Sequence, residues 1–294
     1  VSSPLDCYAS MFEPDASCAS MHSTFYESPA MTNPAAATSC VSYAVHNRVA
    51  TITLNRPEAR NAFNQAMRDD LGAAIARAMA DNDARVVVLA AAGLTFSAGA
   101  DFSDLTVPNY LPQPQIEQEY KPLLLSIANS PKPFISAING AAAGIGGAFA
   151  MACDLTVMAD NACIYMAFAN LALVPDGGAC WQLLHAMGRR RAFEAIATGA
   201  RISAQDCLTY GLANRVVPAA ELAASAQAFA EALALQAPLA MSFAKQALNR
   251  LQQMDLADSI SFEAGLQNYC VRSEDAKEGV MAFMGKRKPE FKGK

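Results

Sequence analysis

The chain has 294 residues, enough for one large or two small domains, and 53% of them are hydrophobic, which supports a sizeable buried core. A net charge of −5, from 22 basic and 27 acidic residues, leaves no electrostatic footprint for nucleic acid. No apolar run reaches the roughly 18 residues of a membrane span, and the eight cysteines form no CxxC pair and no set with histidines at metal-ligand spacing, so a reducing, cytoplasmic setting without a metal site is expected.

Val1 to about Cys40 are rich in Ser, Ala, Pro and Met, contain no Lys or Arg, and show no periodicity. They lack the basic start and apolar core of a secretory signal, so a disordered or loosely ordered tail is expected over residues 1–40. Met31-Thr32-Asn33 stands shortly before the ordered pattern, and native translation is expected to begin at Met31.

Order starts at Val41. Val41 to Val45 and Val49 to Leu54 flank His46-Asn47-Arg48 and read as a hairpin. Asn55-Arg56-Pro57 ends the second strand, because proline lacks a donor and restricts its predecessor. From Asn64 to about Ala80, Met67, Leu71, Ile75 and Met79 recur at helical spacing. Arg85 to Ala91 reads as a strand and Phe96 to Asp101 as a turn, with Asp101 a candidate cap. Three prolines between Val107 and Glu119 predict a mobile loop before a helix ending near Asn129. Pro133 to Ile138, Leu155 to Ala159 and Cys163 to Ala167 read as strands; Cys180 to Ala197 and Ser203 to Tyr210 read as helices, the second capped by Ser203. Strands alternate with helices to about Pro218, the pattern of β-α-β crossovers in a layered α/β core over residues 41–218. Residues 219–294 read mainly as successive helices.

The densest stretch is Asn139 to Asp154, NGAAAGIGGAFAMACD. Glycines and small residues between a strand and a helix allow close backbone approach, and the helix start presents unpaired N–H groups. That geometry can hold a negative oxygen on backbone donors; it also serves simple close packing of a buried helix. Two further stretches stand with it: Phe96-Ser97-Ala98-Gly99-Ala100-Asp101, and Leu173-Val174-Pro175-Asp176-Gly177-Gly178. Asn55-Arg56-Pro57 with Asn61-Ala62, Arg201-Ile202-Ser203-Ala204, Gly211-Leu212 before Val216-Val217-Pro218, and Glu278-Gly279 with Phe283 and Lys286-Arg287 complete the pattern. In order and spacing the sequence resembles the crotonase, or enoyl-CoA hydratase/isomerase, superfamily from about Val41 to the C-terminus.

The resemblance implies an α/β fold with a ββα spiral core and a C-terminal helical trimerisation region, assembled as a homotrimer or hexamer. It implies an acyl-CoA thioester as substrate, with coenzyme A part of that substrate and no separate cofactor. By position, the amides of Ala100 and Ile145 would form an oxyanion hole, with Ala98, Asp101 and Gly144 beside them in the substrate cradle. Arg56 and Arg60 correspond to a segment that meets the CoA nucleotide; as residues, they read equally well as solvated arginines. Phe283 and Lys286 correspond to contacts with the adenine end, across a subunit interface. Phe168 falls to the core or the acyl-pocket wall.

One departure narrows the reaction. Family hydratases carry a glutamate in the helix after the glycine turn and another on the following loop; the aligned positions here are Ala148 and Phe168, and neither side chain transfers a proton. Asp176 remains. Pro-Asp-Gly is ordinary turn chemistry, and Asp176 can also cap the helix near Cys180. In similar proteins that lack the glutamate pair, an aspartate in this motif reaches the substrate as acid/base or as nucleophile. The expectation is an enoyl-CoA isomerase with Asp176 as acid/base, against three alternatives: a hydratase with a displaced base, a hydrolase or dehalogenase acting through Asp176, and a non-catalytic acyl-CoA-binding paralogue.

Overall fold

Branched apolar residues alternating around a two-residue turn make the first hairpin. In the computed structural model, which describes residues 39–103, 110–251 and 253–294, β1 (Val41–His46) pairs antiparallel with β2 (Val49–Leu54). Asn47 and Arg48 take φ of 50° and 66° between them, the left-handed turn that matches strand twist. Parallel pairing then extends this sheet through β3 (Val86–Ala91), β4 (Phe134–Ile138), β6 (Leu155–Ala159) and β9 (Arg215–Val217) in the order β1-β2-β3-β4-β6-β9. Every residue of β4 is buried, the near-continuous apolar run of a parallel strand covered on both faces. A second sheet joins β5 (Ala141–Ala143), β7 (Cys163–Tyr165) and β8 (Arg201–Ser203), with β5 parallel and β8 antiparallel to β7.

The helices follow the apolar periodicity. Asn64 accepts the Met67 N–H and caps α1 (Gln65–Ala80), whose Met67, Leu71 and Ile75 are buried against the hairpin side of the sheet. α4 (Ile145–Met151) is buried throughout. α5 (Ala179–Thr198) is interrupted by non-helical Gly188, and Ser203 caps α6 (Ala204–Tyr210) by accepting the Asp206 N–H. α7 (Leu222–Ala234) packs across β2, β3, β4 and β6, and α8 (Pro238–Leu251), α9 (Leu256–Cys270) and α10 (Glu274–Met284) complete the chain. No helix among the described residues is long and apolar enough to cross a membrane, and no group of His, Cys, Asp and Glu among them could hold a metal ion.

Two local expectations change. The stretch read as a mobile loop is helical from Pro112: α2 (Pro112–Gln115), a π-helical segment Ile116–Tyr120, and α3 (Lys121–Ala128) run on without a break. Prolines 112 and 114 stand in the first turn, where a missing N–H costs nothing. Pro122 lies about two turns further on, and the adjoining ladder is wider, i to i+5, where that proline supplies no donor. Buried Arg68 reaches from α1 to Glu119 at 2.6 Å and anchors this helical run. Residues 104–109 lie outside the described residues, as do the expected Met31 start and the tail up to Thr38; Ser39 and Cys40 are already engaged, with the Cys40 N–H on Asp70 at 2.7 Å. The strand expected over Cys163 to Ala167 stops at Tyr165 and passes into a 3₁₀ turn, Ala167–Leu171.

Two polar clasps fix the helices to the core. Lys245 of α8 donates to Asp154 Oδ2 and to the Ile127 carbonyl, each at 2.8 Å, and Asp154 also accepts the Phe134 N–H at 2.7 Å. One ammonium thereby joins α8, the end of α3 and, through Asp154, β4. At the C-terminal end, the buried Asp275 carboxylate accepts the N–H groups of Lys292 and Gly293, Glu278 takes a two-pronged bond from Arg287, and Arg85 donates to the Phe291 carbonyl. Desolvation pushes the Asp154 carboxyl upward and Lys245 opposes it. Replacing Lys245 by Met keeps the stem but leaves the partly desolvated Asp154 carboxylate without its counter-charge. Urea unfolding of Lys245→Met is expected to show a loss of about 3 kcal/mol, and a loss under about 1 kcal/mol would mean that packing alone seats α8.

Candidate active site

Three loops meet where the small sheet adjoins the large one. The first, Phe96 to Asp101, is pinned by two side chains that are wholly buried, Asn61 and Ser97. Asn61 accepts the Arg56 N–H at 2.8 Å and donates to the carbonyls of Ala92 and Thr95 at 2.9 and 2.8 Å. Ser97 donates to the Asn61 carbonyl at 2.8 Å and accepts the Gly99 N–H at 3.1 Å. Buried polar groups that are fully paired in this way fix a loop in one conformation. Main-chain bonds finish the turn: Ala98 N–H to Arg60 O, Asp101 N–H to Phe63 O, and Ser97 bridged to Ala142 of β5.

The second loop is the turn into α4. Gly144 sits at φ 52°, ψ −128°, a conformation that L side chains rarely adopt. It also lies against the first loop: a Cβ on Gly144 would stand 3.8 Å from Gly99 Cα, and one on Gly99 would stand 3.1 Å from the Ala143 carbonyl oxygen. The residues that follow these two glycines are Ala100 and Ile145. Their neighbours' N–H groups are spent, Gly99 on Ser97, Asp101 on Phe63 and Gly144 on Tyr165, while those of Ala100 and Ile145 have no hydrogen-bond partner among the described residues. Ala98 and Ala100 are exposed on the open side of the turn, and the Phe168 ring lies over Gly144, with Cζ 3.6 Å from the position of its missing Cβ. Further along the helix, Gly146 backs onto Ser97 and Gly147 onto Met166, so the small residues serve close packing as well.

The third loop carries Asp176 and turns at Gly177 onto Ile145 and Ala148. Asp176 Oδ1 is buried and accepts no hydrogen bond among the described residues. Burial lifts its carboxyl above the usual carboxylate range, opposed only by its own backbone N–H. Its carbonyl accepts the Ala179 N–H, so the main chain rather than the side chain starts α5. The cap expected of the Asp176 side chain is thus absent. Cys180, one turn on, feels the Asp176 charge, and both this and burial raise its thiol. Ala148 is buried, at 1% exposure, and no carboxylate stands at position 148 or 168.

The two arginines of the 55–62 segment are placed differently. Arg56 Nη1 donates to the Ala62 carbonyl at 2.7 Å and to Asp101 Oδ2 at 3.1 Å, so it ties the 55–62 segment to the first loop. Asp101 in turn accepts from the Ser103 N–H and hydroxyl, which holds its carboxyl below its ordinary range, with Arg56 adding to the effect. Arg60 is exposed at φ 52°, and its carbonyl, not its guanidinium, meets Ala98. Phe283, 85% exposed on α10, and Lys286 just after it have no hydrogen bond or ring contact with the three loops among the described residues. Asn61 and Ser97 enter the sequence pattern only as letters of their motifs, with no sign there of the buried bonds they make.

Comparison with known proteins accords with this architecture. The family model described as enoyl-CoA hydratase/isomerase matches residues 44–294. The 1,2-epoxyphenylacetyl-CoA isomerase of Escherichia coli is 38% identical over 254 residues, which cover 85% of this chain and 97% of the relative. A probable enoyl-CoA hydratase of Rhodobacter capsulatus is 35% identical, covering 86% and 98%. The crystal structure of an enoyl-CoA hydratase from Bacillus anthracis superposes with a TM-score of 0.83 at 32% identity, covering 87% of this chain and all of that one. With matches of this extent around a shared arrangement of strands, glycine turns and C-terminal helices, the chain belongs to the enoyl-CoA hydratase/isomerase family and has its α/β, crotonase-like fold.

Proposed function

We propose that this family member is an enoyl-CoA isomerase in which Asp176 moves the proton and the amides of Ala100 and Ile145 hold the enolate oxygen. The observation that carries the reading is the buried, unpartnered Oδ1 of Asp176 on a loop packed against Ile145 and Ala148. A carboxylate largely stripped of solvent and met only by its own backbone N–H is a stronger base than an exposed one, and its pKa moves toward working pH. Acidic side chains at positions 148 and 168, which would position and activate water, are missing.

The reaction needs no other group. The Asp176 carboxylate takes a proton from the α carbon of a β,γ-enoyl-CoA, and the C–H electron pair spreads into a dienolate with its negative charge on the thioester oxygen. Two backbone N–H groups facing that oxygen lower the barrier by about 3 kcal/mol per donor. The Asp176 carboxylic acid then returns the proton to the γ carbon, the double bond settles between α and β, and the carboxylate is regenerated. The same enolate and single carboxylate would serve an oxygen-ring substrate, and the E. coli relative named as a 1,2-epoxyphenylacetyl-CoA isomerase makes such an ester the second substrate to test. Six free cysteines among the described residues fit a reducing, cytoplasmic setting, and the exposed apolar residues Val280, Met281, Phe283 and Met284 on α10 fit burial in a homotrimer or hexamer, where Phe283 and Lys286 would reach a neighbour's CoA.

Turnover of a β,γ-enoyl-CoA is expected to outrun hydration of crotonyl-CoA, and Asp176→Asn is expected to lower its kcat by a factor of about 10²–10⁴. Faster hydration, or unchanged isomerisation in Asp176→Asn, would exclude this reading. The base must be ionised, so kcat is expected to fall as pH drops through the raised Asp176 pKa, with an acid limb above that of an exposed aspartate. The limb should be missing from the residual rate of the Asn variant.

The same shift has a stability sign. Between the unfolded and the raised folded pKa the native state binds the extra proton, so the wild type gains stability as pH falls through that window. Asp176→Asn, which cannot titrate, is expected to be the more stable of the two at neutral pH and to lose that lead in acid. Thermal melts of both proteins across that window measure it.

A further inference from the structure

On the reading of Asp176 as the acid/base, the small residue at 148 is more than a missing glutamate. Gly177, at φ 60°, presses directly on α4: a Cβ there would overlap Ile145 Cδ1, stand 3.0 Å from Ala148 Cβ, and stand 3.4 Å from Leu124 Cδ1 of α3. Three side chains from two helices therefore fill the place where Gly177 has none. The next residue, Gly178, has the same left-handed backbone, at φ 80°, with nothing within 4 Å of its missing Cβ. Contact with α4 thus belongs to one glycine of the pair, the one that follows Asp176.

We propose that Ala148 and Gly177 are positioning residues: their contact, closed by Ile145, seats the 174–178 loop on α4 and keeps Asp176 Oδ1 out of solvent. A glutamate at 148 would extend from a wholly buried Cβ into the space the loop now fills. Loss of the hydratase carboxylate and seating of Asp176 are then two sides of one packing choice. The groups around the loop leave its carboxyl without a counter-charge. α4 has no titratable side chain from Ile145 to Met151, Lys121 of α3 is paired with Glu117 at 2.6 Å, and the Cys180 thiol of α5 is the neighbour that senses the Asp176 charge.

The test follows the Asp176 carboxyl by ¹³C NMR titration, its resonance identified by its absence from Asp176→Asn, with kcat and KM measured alongside. Gly177→Ala is expected to lift the loop, to lower kcat on the order of 10²-fold with KM little changed, and to move the carboxyl titration down toward that of an exposed aspartate. Gly178→Ala bears the same backbone strain without the collision and is expected to keep the wild-type titration. Adding Ile145→Val to Gly177→Ala removes the overlapping methyl and is expected to restore both the titration and part of kcat. Ala148→Gly loosens the seat without adding bulk, so it is expected to lower the titration even if Gly177→Ala does not fold.

Equal titrations in Gly177→Ala and Gly178→Ala, or an unmoved titration in Ala148→Gly, would overturn the seat. So would Ala148→Glu that gains hydration while keeping full isomerase turnover. The titration reports seating independently of activity. An unchanged rate in Asp176→Asn would therefore defeat the isomerase reading without touching this result.

Discussion

Two turns of main chain can touch only where neither carries a side chain, and the contact of Gly99 with Gly144 is the constraint on which the site depends. It brings Ala100 and Ile145 onto adjoining backbone segments. Everything around it holds the two turns at that distance: Ser97 and Asn61 from beneath, the Ser97–Ala142 bridge between the turn and β5, and the Arg56–Asp101 pair at the rim. Donors fixed in this way need not reorganise when charge develops, which is the source of their advantage over water. The side chains of Ala100 and Ile145 take no part as donors, which is why alanine and isoleucine can stand there.

The surroundings of Asp176 follow the opposite logic. The first two loops are held by hydrogen bonds that leave the Ala100 and Ile145 amides open, whereas the third presents a buried oxygen with none among the described residues. An unpaired buried carboxylate opposes folding, and such a group persists where the surroundings over-determine it. The tight seating of Gly177 on α4 supplies that determination. On the proposed function, hydrogen-bonded turns around the enolate and a base short of partners are set side by side, within one turn of helix.

Much of this could be read before any coordinates. The hairpin around Asn47-Arg48, the Ser203 cap, and the strand–glycine–helix turn at Asn139 to Asp154 all follow from local chemistry, and the structure has them. The helical run from Pro112 was not legible, because proline reads as a breaker unless its place in the first turn is known. Nor was the service of Arg56. A guanidinium in a loop gives no sign of whether it faces a nucleotide or the chain's own carbonyls, and only the fold brings Ala62 and Asp101 to it. Asn61 and Ser97 escaped for a related reason: their partners are main-chain groups up to 36 residues away, which leave no periodic trace in sequence.

The clasp around Asp275 bears on how the protein is handled. This aspartate is 3% exposed, and its two oxygens are met by the main-chain N–H groups of Lys292 and Gly293, within three residues of the last one. Trimming the chain by a few residues at this end strips a buried carboxylate of the donors that hold it, at the root of α10. The last residues are therefore a structural latch rather than a loose end.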